Sequence, residues 1–95
     1  MTASAIRMAA KAGRDIDHLA SSILSPYQRE KYLNESAVAR DRYWARCRQA
    51  AARHQRSKED PAAALAKRER ECVLAYQKYL KECAEAMIRV RESNS

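Results

Sequence analysis

The sequence is poor in residues that interrupt helices: its 95 residues include one glycine, two prolines and no phenylalanine. Alanine, arginine, glutamate, lysine and leucine, which favour long helices, are abundant instead. No apolar run reaches the length of about 18 residues that a transmembrane helix needs, so no segment is predicted to span a membrane. We therefore expect one all-α domain over residues 1–95, with room for only a thin core.

The sequence also lacks the motifs of common catalytic and metal sites. Its two histidines stand apart from other metal ligands, no Cys-x2-Cys pair occurs, and the single glycine excludes a phosphate-binding loop. The three cysteines fall on predicted packing faces, where thiols are usually unreactive. We predict that the protein is not an enzyme and has no metal ion or other cofactor.

The two prolines mark the predicted helix boundaries. Ser25, followed by Pro26 and then by Gln28, has the spacing of a capping box with proline at the first helical position. Asp60 before Pro61 marks a second boundary, because aspartate caps helices and proline suits their first turn.

These boundaries divide the chain into three helices, and the short loop between the last two makes them a long antiparallel hairpin. Gly13 falls within the first helix, costs about 1 kcal/mol against alanine there, and is expected to mark a bend or a close helix crossing. The predicted bounds are about 3–24, 26–56 and 61–92.

Apolar residues recur at steps of three and four along the second and third helices. In the second helix the main stripe begins at Leu33 and passes through Trp44 and Cys47, and a second stripe contains Tyr32 and Tyr43. Two stripes on one helix predict two packing neighbours. The residues expected to supply the principal packing contacts are Tyr43, Trp44, Tyr76, Tyr79, Leu80 and Met87.

The third helix carries two cysteines, Cys72 and Cys83, on one face. They lie about 16 Å apart along the axis, too far for a disulfide between them. An antiparallel pairing that sets Cys47 opposite Cys72 has its midpoint at Asp60 and places Ser36 opposite Cys83. This register also joins the best apolar stripes of the two helices, so turn position and sequence pattern agree.

The segments Cys72 to Cys83 and Ser36 to Cys47 resemble the paired helices of the coiled-coil-helix-coiled-coil-helix proteins of the mitochondrial intermembrane space. Those helices carry twin cysteines in a Cys-x9-Cys pattern, whereas here Ser36 replaces one cysteine and ten residues separate each pair. The resemblance implies a disulfide between Cys47 and Cys72, with Cys83 as a free thiol. The alternative is that all three thiols are reduced and pack as small hydrophobic groups.

The net charge of +7 is concentrated in residues 40–58, where seven bases face one acid. Four arginines of the second helix lie within about 80° of one another and form a predicted basic face: Arg42, Arg46, Arg53 and Arg56. Such a face fits an acidic protein surface, anionic lipid head groups or RNA phosphates. Residues 1–14 are basic and rich in alanine, which is typical of a mitochondrial targeting segment or of an ordinary basic helix start.

Together these features predict a non-enzymatic accessory subunit that braces neighbouring subunits of a larger assembly through helical packing and the basic face. The family resemblance implies a mitochondrial assembly, a respiratory-chain complex on its intermembrane-space side or at the periphery of the inner membrane. Two alternatives stay open. One is an RNA-contacting protein of an organellar ribosome or other ribonucleoprotein, and the other is a coiled-coil adaptor that dimerises through residues 73–90.

Overall fold

The computed structural model describes residues 1–93, and those residues form α-helices without any strand. The helices are α1 (Ala3–Lys11), α2 (Ile16–Ile23), α3 (Pro26–Glu35), α4 (Ala37–Arg56) and α5 (Pro61–Ser93). The all-α prediction is confirmed. The prediction of three helices is wrong, because residues 1–93 form five helices: each of the first two predicted helices is divided in two.

The first predicted helix is interrupted around Gly13. This residue adopts a φ of 80°, and the backbone N–H groups of Gly13 and the next residue donate to carbonyls in the last turn of α1, both at 3.0 Å. This is the Schellman arrangement, which favours glycine because it needs a left-handed residue. Asp15 then caps α2 by accepting a hydrogen bond from the His18 backbone N–H at 3.1 Å. A helix end and a helix start therefore lie within three residues.

The second predicted helix is interrupted at Ser36, whose ψ of −2° departs from α-helical geometry. The Ser36 N–H still donates to the Tyr32 carbonyl at 2.9 Å, and its carbonyl accepts from the Arg40 N–H at 3.0 Å. Its buried hydroxyl donates to the Leu33 carbonyl at 3.4 Å, a local contact that tends to bend helices. Tyr32 is the residue of α3 in the core, at 1% exposure, whereas Leu33 is 49% exposed, so the main packing stripe predicted through Leu33 is wrong.

The caps expected beside the prolines are present. The Ser25 hydroxyl accepts from the Gln28 N–H at 3.2 Å, and the Gln28 side chain accepts from the Ser25 N–H at 3.1 Å. Pro26 opens α3 beside this reciprocal pair. The Asp60 carboxylate accepts from the Ala63 N–H at 3.3 Å and caps α5 in the same way.

The core lies toward one end of an elongated molecule of 54 × 22 × 16 Å. There the C-terminal half of α5 packs against α1, α2, α3 and the beginning of α4. We call this part, α1 to α3 with residues 79–90 of α5, the base. Its most buried side chains are Ile6, Ile16, Tyr32, Leu80, Cys83, Met87 and Val90.

At the other end, α4 and α5 continue as an antiparallel pair, which we call the arm, residues 44–75. Its buried residues are Ala50, Ala64 and Ala75. Alanine lets the helix axes come close but buries little apolar area, so the interface within the arm is thin.

Candidate interaction surfaces

The arm joins the base at a cluster of aromatic rings. Tyr43 stacks on Tyr79 with ring centroids 5.3 Å apart and lies 5.7 Å from Tyr76 and 5.6 Å from Trp44. Tyr79 is buried, and Tyr43 and Tyr76 are half-buried. Aromatic pairs of this kind contribute about 0.5–1.5 kcal/mol each beyond their buried area, so the cluster fixes α4 against α5 at the junction.

Trp44 differs from the other predicted packing residues. Leu80 and Met87 are fully buried in the base, but Trp44 is 56% exposed. On α5, Val73 is 55% exposed and Leu65 is 44% exposed. The arm therefore presents large apolar side chains that are about half exposed to solvent.

Helix geometry brings these exposed residues to one side of the hairpin. Cys72 follows Leu65 by seven residues, which places both on one face of α5. Cys72 approaches Cys47 of α4 to 4.0 Å, and Cys47 lies one turn beyond Trp44. We call this side the cysteine flank. Its exposed residues Trp44 and Leu65, with Val73 at the edge, form what we call the arm patch.

All three cysteines are free thiols. The 4.0 Å approach of Cys47 and Cys72 is about twice the length of a disulfide bond, so the bond implied by the family resemblance stays a prediction. Burial raises the pKa of the Cys72 and Cys83 thiols above the ordinary value. The thiolate is the reactive form of cysteine, so neither of these two residues has the surroundings of a catalytic nucleophile.

The predicted basic face is partly engaged within the chain. Arg42 and Arg53 each form an ion pair with a glutamate of α5, at 3.6 and 2.7 Å. Arg46 and Arg56 have no acidic group within 4.0 Å among the described residues. The four arginines therefore do not act as one uniform row of free cations.

The side of the hairpin that carries these ion pairs, which we call the ladder flank, contains an open groove between α4 and α5. The groove has a volume of about 780 Å³ and includes Val38, Leu74 and Lys81 in its lining. A further hollow of about 290 Å³ shares Leu74 and Lys78 with the groove and extends it toward Arg46. The two flanks therefore differ: the cysteine flank carries the exposed apolar side chains of the arm patch, and the ladder flank carries ion pairs around an apolar floor.

A polar cluster that sequence reasoning missed ties α2 to α3, α4 and α5. The Asp17 carboxylate accepts hydrogen bonds from the hydroxyls of Tyr32 at 2.6 Å and Tyr79 at 2.5 Å. The Arg40 guanidinium lies 3.6 Å from the same carboxylate and donates to the Ser36 hydroxyl at 3.0 Å. Burial, together with these hydrogen bonds, raises the pKa of both tyrosines, so the phenols stay protonated as donors.

One signal for this cluster was present in the sequence. Tyr32 and Tyr79 lie on apolar stripes, and a buried tyrosine hydroxyl usually requires a hydrogen-bond partner. The partner, Asp17, lies 15 residues from one tyrosine and 62 from the other, so only the folded arrangement of α2 identifies it.

Within the described part of the chain, no group of three or more His, Cys, Asp or Glu residues is placed to hold a metal ion. None of the helices described here combines the length and apolar character needed to cross a bilayer. Comparison of the chain with family models, curated proteins and solved structures finds no match in any of the three. The two flanks of the hairpin are the candidate interaction surfaces of the molecule.

Proposed function

We propose that this chain is a non-enzymatic accessory subunit that binds a neighbouring protein of a larger assembly through the arm patch. The observation that carries the proposal is that other helices cover the apolar residues of α5 in the base but leave them exposed in the arm. In the base, its apolar residues are buried against α1, α2 and α3, whereas in the arm Leu65 and Val73 are exposed beside Trp44. A helix from a neighbouring protein would continue on the arm the cover that α1 to α3 supply in the base.

The energetics favour such a partner. Burying the exposed half of Trp44, on the order of 100 Å², contributes about 2.5 kcal/mol. Tryptophan is also enriched among the residues that contribute most to protein–protein binding. The interface between the two arm helices is built from alanines and buries little apolar area. A partner on the arm patch would therefore bury additional apolar surface in the arm.

The test is a pair of serine substitutions, Trp44→Ser with Val73→Ser, made in the full chain and expressed in its native cells. We expect the wild-type protein to elute from native extracts in a complex far larger than the 10.9 kDa chain. We expect the double variant to elute as the free chain. The matched control is Met8→Ser, which removes an exposed apolar side chain from α1 and should leave the complex intact.

Circular dichroism of the purified variants distinguishes lost binding from lost folding. We expect the double variant to fold, because both substituted side chains are more than half exposed. A wild-type protein that elutes as a free chain, or a double variant that stays in the complex, would show the proposal to be wrong.

The assembly itself is proposed from the family resemblance of the segment Cys72 to Cys83. We place it in mitochondria, as part of a respiratory-chain complex facing the intermembrane space, where Cys47 and Cys72 would be joined by a disulfide. The approach of these two thiols supports that pairing over any with Cys83. Cell fractionation combined with mass spectrometry under non-reducing conditions tests it. A cytosolic protein with three free thiols would contradict it.

RNA contact by the arginines of α4 is the competing function. The ion pairs of Arg42 and Arg53 reduce the charge available to phosphates and favour the protein-binding proposal. Ribonuclease treatment of the native extract distinguishes the two. We expect the complex to keep its size, and collapse of the complex after treatment would favour the RNA function.

A further inference from the structure

The ion pairs of the ladder flank recur at regular steps. A step of seven residues, from the last residue of α3 into α4, and seven back along α5 leads from the first pair to the second. Four residues further along α4 and four further back along α5 lie Arg46 and Lys78. Another seven residues in the same directions lead to the third pair. The three ion pairs are Glu35–Arg89 at 3.1 Å, Arg42–Glu82 at 3.6 Å and Arg53–Glu71 at 2.7 Å.

The position reached in the middle of this ladder is occupied by two cations. Arg46 and Lys78 line the same hollow, and neither has an acidic group within 4.0 Å among the described residues. Like charges that face each other across two helices repel, whereas the neighbouring pairs attract. The ladder is therefore neutralised at three positions and carries two unneutralised positive charges at the fourth.

Apolar side chains adjoin these cations. Leu74, 60% exposed, lines both the groove and the hollow, and Val38, 56% exposed, lies further along the groove. Lys81 also lines the groove, and no acidic group lies within 4.0 Å of it in the described part of the chain. This flank thus offers an apolar floor with a localised positive charge.

We propose that the groove binds an amphipathic helix of a partner protein. Apolar residues of that helix would pack on Leu74 and Val38, and one Asp or Glu carboxylate would lie between Arg46 and Lys78. On α5, the groove and its extension run from Glu71 to Arg89, about 27 Å, which matches five turns of a helix. This surface lies on the opposite flank from the arm patch, so the inference does not depend on the proposed function.

The charges beside the groove favour a protein over a nucleic acid or a membrane. Glutamates at positions 35, 71, 82 and 85 line the groove or its extension. A chain of phosphates or a sheet of anionic head groups would bring negative charge against several of these carboxylates. A helix with one well-placed carboxylate neutralises the central cations and avoids the flanking acids.

The probe for this site is a fluorescein-labelled 18-residue helical peptide with leucines along one face and one central glutamate on that face. Its matched control replaces the glutamate with glutamine. Fluorescence anisotropy should show that the glutamate peptide binds the full-length protein at least about tenfold more tightly than the glutamine peptide, as expected for a charged hydrogen bond. Equal affinity, or no binding, would overturn the proposal.

The decisive variant is Lys78→Glu, which gives Arg46 an acidic neighbour and completes the ladder. We expect affinity for the glutamate peptide to fall by about tenfold or more, while the urea midpoint of the free protein stays the same or rises. The control, Lys58→Glu, makes the same change of charge in the loop before α5 and should leave binding unchanged. Equal loss in both variants would contradict a specific site.

A charge swap tests the contact directly. Replacing both Arg46 and Lys78 with glutamate should abolish binding of the glutamate peptide and create binding of a peptide with central lysine. Because a misfolded protein would bind neither, the swap separates contact from folding. Failure of the lysine peptide to bind the folded double variant would count against the assigned contact.

The apolar floor is tested by Leu74→Ser. Its matched control is Leu65→Ser, an exposed leucine of α5 on the cysteine flank. Only Leu74→Ser should weaken binding of the glutamate peptide.

Two other ligands test the choice of occupant: a 20-nucleotide single-stranded RNA and vesicles containing phosphatidylglycerol. If either bound more tightly than the glutamate peptide, and if Lys78→Glu abolished that binding, the groove would be assigned to phosphates and the proposal would be overturned. Dimerisation in sedimentation that Lys78→Glu abolishes would assign the groove to a second copy and overturn it as well.

Discussion

At the residue scale, one carboxylate holds together most of the elements of the base. Asp17 projects from α2 and accepts hydrogen bonds from a tyrosine of α3 and a tyrosine of α5, with Arg40 of α4 beside it. Backbone caps stabilise only the helix in which they occur, whereas this carboxylate joins helices that are distant in sequence. It thereby helps to fix the position of α2, a helix of eight residues that also packs into the core through its buried apolar side chains.

Replacing Asp17 with alanine should lower the free energy of unfolding by about 1–3 kcal/mol. The substitution leaves the buried hydroxyl of Tyr32 and the hydroxyl of Tyr79 without their acceptor, and Arg40 loses its nearest acid. Urea denaturation measures the loss. The matched control, Asp41→Ala, removes an exposed aspartate of α4 and should change stability by less than about 0.5 kcal/mol. Equal effects of the two substitutions would show that the cluster contributes nothing specific.

The same cluster predicts a loss of stability at alkaline pH. Tyr32 and Tyr79 have raised pKa values in the folded protein, against an ordinary value of 10.0, so the unfolded chain loses these protons first. Their contribution is complete below pH 10 and is lost as pH rises through the folded pKa values. Urea denaturation from about pH 8 to pH 11 should show falling stability above pH 10.

Two variants test the origin of that pH dependence. Combining Tyr32→Phe with Tyr79→Phe should flatten the decline, because two of the responsible phenols are gone. Tyr27→Phe, which changes an exposed tyrosine, should leave the slope as in the wild type. Identical slopes in all three proteins would assign the decline to other groups, such as the buried thiol of Cys83, whose pKa is also raised.

At the scale of the helices, local chemistry predicts the boundaries where the breaking residues are unambiguous. Pro26 and Pro61, each preceded by a capping side chain, mark true helix starts. The apolar period continues across Gly13, so the sequence pattern places this residue inside a helix. Period alone cannot distinguish a helix that contains glycine from two helices joined by a Schellman turn. Asp15, two residues later, is the signal for a new helix start that the periodicity conceals.

The interruption at Ser36 has no helix-breaking residue to mark it in the sequence. Serine inside a helix is tolerated, and the interruption accompanies burial of its hydroxyl beside Arg40. The register of the hairpin could be predicted, because the pairing of Cys47 with Cys72 agreed with the position of the loop. Which face of α4 is buried could not be predicted from the sequence, because the burial of Trp44 depends on where α1 to α3 stop covering α5.

Gly13→Ala should reduce stability by about 1 kcal/mol, because alanine is strained at a φ of 80°. No atom lies within 4 Å of the position that the alanine methyl group would occupy, so the loss would arise from the backbone alone. Gly13→Asn provides the control, since asparagine tolerates this conformation better and should cost less than alanine. Thermal denaturation compares the three proteins, and an alanine variant as stable as the wild type would contradict the assignment.

At the scale of the whole molecule, stability is distributed unevenly along one helix. Residues 79–90 of α5 are enclosed by the base, whereas residues 61–72 contact α4 through small side chains and face solvent elsewhere. Regions with little buried apolar surface open more readily than regions in a packed core. The arm is therefore the end of the molecule that a partner would order.

Amide hydrogen exchange should reveal this difference within α5. We expect amides of residues 79–90 to exchange at least about tenfold more slowly than those of residues 61–72. The first turn, residues 61–63, is left out of the comparison because its amides have no i→i−4 acceptor within the helix; the other amides of both segments form the same helical hydrogen bonds, so the surrounding packing is what differs. Uniform protection along α5 would show that the arm is as stable as the base.

The continuity of α5 has a mechanical consequence. A single helix of 33 residues spans about 50 Å, nearly the full 54 Å length of the molecule, and belongs to both base and arm. Anything held at the base and anything held at the arm are therefore kept at a set separation, as by a spacer. That separation is counted in helical turns: removing seven residues from each arm helix would shorten it by about 10 Å and keep both flanks aligned.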